Sequence, residues 1–140
     1  RGLQGIPGPK SRTISFATVR KNSANVATGQ DITYNELIVN EGSGMHASSG
    51  IFTAPQGGVY FFTISAVSAS SVNDIYIDVI KNGEKEFDID DRSAKNMKNV
   101  SYQWMLRLNR GDSVKLRVLY GDLYIDEDDQ VHFTGQLVSD

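Results

Sequence analysis

From position 13 onward, apolar and β-branched residues come in short alternating runs. The clearest are Ile14 to Val19, Val59 to Val67, Ile75 to Ile80, Val100 to Leu108, Val114 to Tyr120 and Val131 to Val138, with glycine, asparagine and aspartate between them. Successive side chains on a strand point to opposite faces, so this pattern predicts half-buried strands. Asn82-Gly83, between Val79-Ile80 and the next strand, has the chemistry of a type I′ hairpin turn. Asn109-Arg110-Gly111-Asp112 predicts a second tight turn. No stretch keeps a 3.6-residue period, and the last strands are too closely spaced for crossover helices. The expected class is therefore all-β, an antiparallel sandwich or jelly roll.

The run Gly58 to Ala66 shows what the two faces of a strand demand. Tyr60, Phe62, Ile64 and Ala66 share one face, which is the natural core face. Val59, Phe61, Thr63 and Ser65 share the other, which is more apolar than a solvated face requires. Either Phe61 packs under a loop of its own chain or a neighbouring subunit covers it.

The first residues read differently. Gly2, Gly5 and Gly8 fall every third position, with Pro7 and Pro9 between or beside them. This is collagen register, in which three polyproline-II strands wind about an axis that only glycine fits. The period stops at Ser11, which divides the chain into a collagen-like stub, residues 1–11, and a globular domain, residues 12–140. Seventeen acidic against fourteen basic side chains give a net charge of -3, with no basic run. That balance argues against nucleic acid as a partner. No apolar run approaches the length of a membrane span, so no membrane insertion is expected. The chain has no cysteine, which removes disulfide scaffolds and thiol chemistry.

The series Tyr34, Asn40, Met45, Phe52 and Gly58-Val59-Tyr60-Phe61-Phe62-Thr63-Ile64 resembles the signature of the complement C1q globular-domain family. Asn40, Phe52, Gly58, Tyr60 and Phe62 match it as they stand; Tyr34 replaces the usual Phe, and Met45 and Ile64 replace larger residues. Gly50-Ile51-Phe52-Thr53-Ala54-Pro55, Lys81-Asn82-Gly83-Glu84, Leu108 to Val114 and Phe133-Thr134-Gly135-Gln136-Leu137 agree with it. A collagen stub before such a domain is that family's arrangement. The resemblance implies a ten-stranded antiparallel jelly roll, shared with tumour necrosis factor relatives, that assembles as a homotrimer. It implies a secreted, extracellular binding module with a protein or glycan ligand, and no enzymatic activity. Phe52, Tyr60, Phe61, Phe62, Trp104 and Phe133 are the expected core and trimer residues.

Acidic residues gather in two stretches that the strand order places at one pole. One holds Asp88, Asp90 and Asp91, expected in a loop; the other holds Asp122, Asp126, Glu127, Asp128 and Asp129. The bland reading is a solvated charge run, partly neutralised by Arg92, Lys95 and Lys98. In a trimer, though, three copies would repel about one axis, and a hard cation with oxygen ligands would relieve that. Family resemblance points to calcium there, first on Asp90 and Asp91, although a second family acid aligns near Lys98. Arg110-Gly111-Asp112 spells the integrin tripeptide, but Gly-Asp between strands is ordinary turn chemistry. His46 and His132 are too few for a three-histidine zinc site, and His132 reads as a structural or interface residue. Asn99-Val100-Ser101 is a sequon, so Asn99 is a glycosylation candidate in a secreted chain.

The sequence thus points to a trimeric recognition head for microbial or altered-cell surfaces. Its alternatives are a receptor-binding, cytokine-like ligand and the trimerisation domain of a matrix collagen.

Overall fold

Strand alternation is realised along most of the chain, because each run has one face that must leave water. The structure, a computed structural model, describes residues 13–67, 75–91, 99–126 and 130–140. The collagen-like stub lies outside the described residues. The strands are β1 (Ser15–Arg20), β2 (Glu36–Glu41), β3 (Met45–His46), β4 (Ile51–Thr53), β5 (Gly58–Val67), β6 (Ile75–Lys81), β7 (Glu84–Asp91), β8 (Asn99–Leu108), β9 (Ser113–Tyr120) and β10 (Val131–Ser139). They form two five-stranded antiparallel sheets, ordered β2-β1-β10-β5-β8 and β3-β4-β9-β6-β7. The jelly-roll sandwich is the one expected.

The core lies between the sheets. β5 alternates perfectly: Tyr60, Phe62, Ile64 and Ala66 are buried, while Val59, Phe61, Thr63 and Ser65 are not. Phe62 sits at the centre of an aromatic cluster, with ring centroids 5.6 Å from Trp104, 6.0 Å from Phe133 and 6.1 Å from Phe52. Phe16 meets Phe52 and Phe133, each at 4.9 Å. From the other sheet, Ile75, Ile77 and Val79 of β6 and Val114, Leu116 and Val118 of β9 close the layer.

Room for these rings is made at Gly135 of β10. A Cβ there would stand 2.4 Å from the Phe16 ring and 2.9 Å from Phe62. Asn40 closes the turn between β2 and β3: its side-chain amide donates to the Met45 carbonyl at 3.0 Å, and its oxygen accepts from the Met45 N–H at 3.1 Å. One side chain thereby does the work of two backbone groups.

Tyr34 lies in the same core, stacked on Phe133 at 5.8 Å, and its hydroxyl has no hydrogen-bond partner among the described residues. Burial drives its pKa well above 10.0, with the Arg20 charge pulling weakly the other way. The folded state therefore keeps a proton that the unfolded chain releases. Stability from this group is complete below about pH 10 and is lost as the pH rises further. Tyr34→Phe removes an unsatisfied buried hydroxyl at constant shape. It is expected to raise stability by about 1–2 kcal/mol at neutral pH, and to flatten the alkaline limb of a stability–pH profile measured by denaturant unfolding.

Candidate assembly and binding faces

The outer face of the first sheet is built from the alternate positions of its strands. Two rows cross it. In one, Met105, Phe61, Gln136, Ser15 and Glu41 are register partners in turn; in the next, Gln103, Thr63, Thr134, Ala17 and Val39 are. Ala17, Val39, Phe61, Gly135 and Gln136 line an open depression between these rows. Phe61 is half-buried beside it, and Met105, opposite Phe61, is 60% exposed. Leu37, Ile38 and Val39 of the edge strand β2 are all exposed. Of the two readings for Phe61, the geometry favours an outward-facing side chain on an open apolar surface.

The first sheet ends at β8 and the second at β7, and ring contacts of Phe87 on β7 with Tyr102 and Trp104 on β8 link the two edges. Here Tyr102, 45% exposed, stacks on Trp104 at 6.1 Å and meets Phe87 at 6.4 Å. Trp104 itself is buried, against Phe62 on one side and Phe87 on the other. An aromatic edge therefore adjoins the apolar face.

The outer face of the second sheet is charged instead. Lys115 Nζ donates to Asp31 Oδ2 at 3.0 Å and Arg117 Nε donates to Oδ1 at 2.9 Å. Burial alone would raise the Asp31 carboxyl, but these two donors outweigh it and hold the group below its ordinary range. Lys85 Nζ lies 3.1 Å from Asp88 and 3.4 Å from Asp78, and so separates two carboxylates that are register partners. Ionic cross-strand pairs of this kind suit a face held in water.

Asp88 and Asp90 are not loop residues. β7 continues to Asp91, with Ile89 buried inward and Asp88 and Asp90 exposed on the outer side. The correction has a simple cause: carboxylates on the solvent side of a strand look like turn residues when read singly. Asp90 is the register partner of Tyr76, and Asp88 pairs with Lys85. Among the described residues no three histidine or carboxylate side chains converge as metal ligands. The Asp91 side chain and residues 127–129 lie outside the described residues; Asp126 is half-buried. Asn99 opens β8 and is exposed, as is Ser101.

At the other pole, Arg110-Gly111-Asp112 forms the β8–β9 turn. Gly111 has φ 91° and Arg110 is exposed. Asp112 is engaged within the chain: Oδ2 accepts from the Asn109 N–H at 2.7 Å, and Oδ1 accepts from the Asn82 amide at 3.1 Å. The Asn109 N–H first, then the Asn82 amide, hold this carboxyl below its ordinary range. Asn82 Oδ1 in turn accepts from the Ser113 N–H at 2.9 Å, tying the two hairpin turns together. Arg110→Ala is expected to change Tm by under about 1 °C, and Asp112→Ala to cost roughly 0.5–1.5 kcal/mol by removing both of these hydrogen bonds. Equal thermal shifts for the two variants would remove the structural role given to Asp112. His132 faces outward from β10, with Nε2 3.1 Å from Gln130 Oε1, and His46 is exposed in β3.

Sequence reasoning located Phe61 but missed its surroundings. Val39 lies outside the alternating runs, and Ala17, though inside one, is too small to stand out as a surface residue. The Asp31 pairing joins positions 84 and 86 residues apart, which no local pattern could reveal.

Comparison with known proteins is consistent across sequence and structure. The family model described as C1q domain matches residues 15–138. Complement C1q tumor necrosis factor-related protein 3 of Mus musculus is 31% identical over 131 residues, covering 93% of this chain and 52% of that protein. The chain therefore spans about half the length of the curated relatives it matches. The globular domain of zebrafish complement 1qA superposes with a TM-score of 0.75 at 21% identity, covering 89% of this chain and 97% of that one. Eiger TNF from S. frugiperda superposes with a TM-score of 0.69 at 14% identity, covering 93% and 96%.

Proposed function

The chain belongs to the C1q domain family, and from that premise we propose that it is the globular binding head of a secreted, collagen-stalked protein. It works as a homotrimer and recognises a protein or glycan ligand on microbial or altered-cell surfaces, without catalysis. The observation that carries this reading is the contrast between the two outer faces. One is crossed by cross-strand ion pairs. The other presents Phe61, Val39 and Met105 around an open depression, next to the aromatic edge at Tyr102. Contiguous exposed apolar surface of that kind marks an interaction site. A second copy supplies the cover, and three copies about one axis match the three strands that a collagen-like stub requires. Trimers gain avidity from three weak contacts to one surface.

Sedimentation equilibrium tests the assembly. The parent is expected to run at three times the chain mass at micromolar concentration. Phe61→Asp places a charge on the covered face and should shift the mass to that of a single chain with the far-UV spectrum retained. A parent that sediments as a monomer overturns the reading. The ligand class is tested by screening the purified chain against glycans, bacterial surface components and immunoglobulins.

A second reading has one observation in its favour: the curated relatives carry tumor necrosis factor-related names. On that reading the trimer is a receptor-binding, cytokine-like ligand. Saturable binding to receptor-bearing animal cells, with none to microbial surfaces, would select it.

A further inference from the structure

The two hairpin turns at one end of the sandwich meet through the single Asn-Gly pair of the chain, Asn82-Gly83. Three hydrogen bonds tie Asn82 to the start of β9 and the turn before it. Its N–H donates to the Ser113 carbonyl at 2.9 Å, its Oδ1 accepts from the Ser113 N–H at 2.9 Å, and its Nδ2 donates to Asp112 Oδ1 at 3.1 Å. Asn82 and Gly83 are both exposed, and nothing lies within 4 Å of where a Cβ on Gly83 would stand. The pair is therefore open to water, and its side-chain amide is held by hydrogen bonds rather than by packing.

We propose that Asn82 is a self-modification site: it converts to aspartate and isoaspartate in water, at a rate held down by Asp112, and the conversion unties the two turns. A glycine after asparagine leaves the backbone nitrogen free to approach the side chain, because no Cβ stands in the way. The Gly83 nitrogen attacks Cγ of Asn82. A new C–N bond forms, the bond from Cγ to Nδ2 breaks, and ammonia leaves with the Gly83 amide proton, which closes a succinimide ring. Water then opens the ring at either carbonyl. One product is aspartate; the other is isoaspartate, with the backbone routed through the side chain. Ring closure requires Cγ to swing toward Gly83, and that motion breaks the side-chain bonds to Ser113 and Asp112. Asp112 also opposes the product. An aspartate at position 82 sets a second carboxylate where Nδ2 stood, 3.1 Å from Asp112 Oδ1, and Lys81 Nζ, 4.0 Å from Oδ2, offsets part of the repulsion. Isoaspartate lengthens the backbone of a turn whose φ values, 52° and 82°, suit the hairpin as it stands. The modification depends neither on trimer formation nor on the ligand.

The test is incubation of the purified chain in mildly alkaline buffer, with conversion at position 82 read by peptide mapping and mass spectrometry. In urea, where the hold is gone, conversion should be fastest. In the folded parent it should proceed roughly tenfold slower or more, since two hydrogen bonds must break first. Folded Asp112→Ala should convert roughly two- to tenfold faster than the parent, the factor that one hydrogen bond is worth. Gly29→Ala is the control. It strains a turn bonded to Val118 at the far end of β9, with φ 87° and nothing within 4 Å of the added carbon, so it lowers stability without touching the hold. Asn82→Asp should lower Tm by roughly 3–6 °C, and by clearly less in an Asp112→Ala background. Absence of conversion at position 82, folded or in urea, overturns the site. Equal rates in urea and in the folded parent, or a rate in Asp112→Ala no higher than in the parent or in Gly29→Ala, overturn the hold. A Tm that Asn82→Asp leaves unchanged overturns the untying of the turns.

Discussion

Phe62→Ala is expected to cost about 3–5 kcal/mol of stability. Phe62 is fully buried and touches rings from five other positions, Phe16, Phe52, Tyr60, Trp104 and Phe133, at centroid separations of 5.6 to 6.3 Å. Truncation removes the transfer energy of the ring and leaves a cavity. The surrounding rings cannot fill it, because each is fixed in its own strand. Several aromatic pairs are lost with it, each worth on the order of 0.5–1.5 kcal/mol. A domain of this size holds roughly 5–15 kcal/mol in total, so the variant should melt at least about 10 °C lower. Phe61→Ala is the control one position away. Phe61 points outward and is only half-buried, so its truncation should cost under about 1.5 kcal/mol in the single chain and act on assembly instead. Thermal unfolding and sedimentation of both variants separate the two roles. Equal melting losses would contradict the division of β5 into a core face and an assembly face.

The alternation of β5 into a core face and an outward face was legible in the sequence, and the reason is physical. β5 is central in its sheet, with one face in the core, so its alternation is strict. The hairpin at Asn82-Gly83 was legible because both residues need positive φ, 52° and 82°, which few other pairs tolerate. β2 was not legible. It reads Glu-Leu-Ile-Val-Asn-Glu, pairs on one side only, and shifts register opposite Ala17 and Thr18. An edge strand with a bulge has no single buried face to write into its sequence. β7 was half legible: its start followed from the hairpin, but its outward carboxylates hid its length. The candidate sites followed the same rule. Phe61 was found by alternation within one strand, whereas the Asn82–Asp112 bond joins turns 30 residues apart in number through the fold alone. Family resemblance supplied the strand total and the expectation of a trimer, which no local pattern contains.

Glycine positions give the second large effect, and Gly50 is the most demanding of them. It has φ 74°, and a Cβ there would stand 2.0 Å from the Ile32 carbonyl oxygen and 3.1 Å from its carbon. Neither side can move freely. The Gly50 N–H donates to the His46 carbonyl at 2.9 Å, closing the turn between β3 and β4. Ile32 is fully buried, its N–H donates to Leu116 at 2.8 Å, and Tyr34 N–H donates to Ala47 at 2.9 Å. The chain before β2 is therefore pinned between β9 and this turn. Gly50→Ala combines backbone strain with displacement of a pinned carbonyl, and is expected to cost roughly 3–5 kcal/mol. Gly83 provides the comparison: φ is 82°, but nothing lies within 4 Å of the added carbon. Gly83→Ala should carry the strain alone, about 1 kcal/mol. Denaturant unfolding of the pair isolates the steric contribution as their difference. If Gly50→Ala proves no more costly than Gly83→Ala, the turn is not packed on the Ile32 backbone, and the close approach holding β3 and β4 against the start of the domain is wrong.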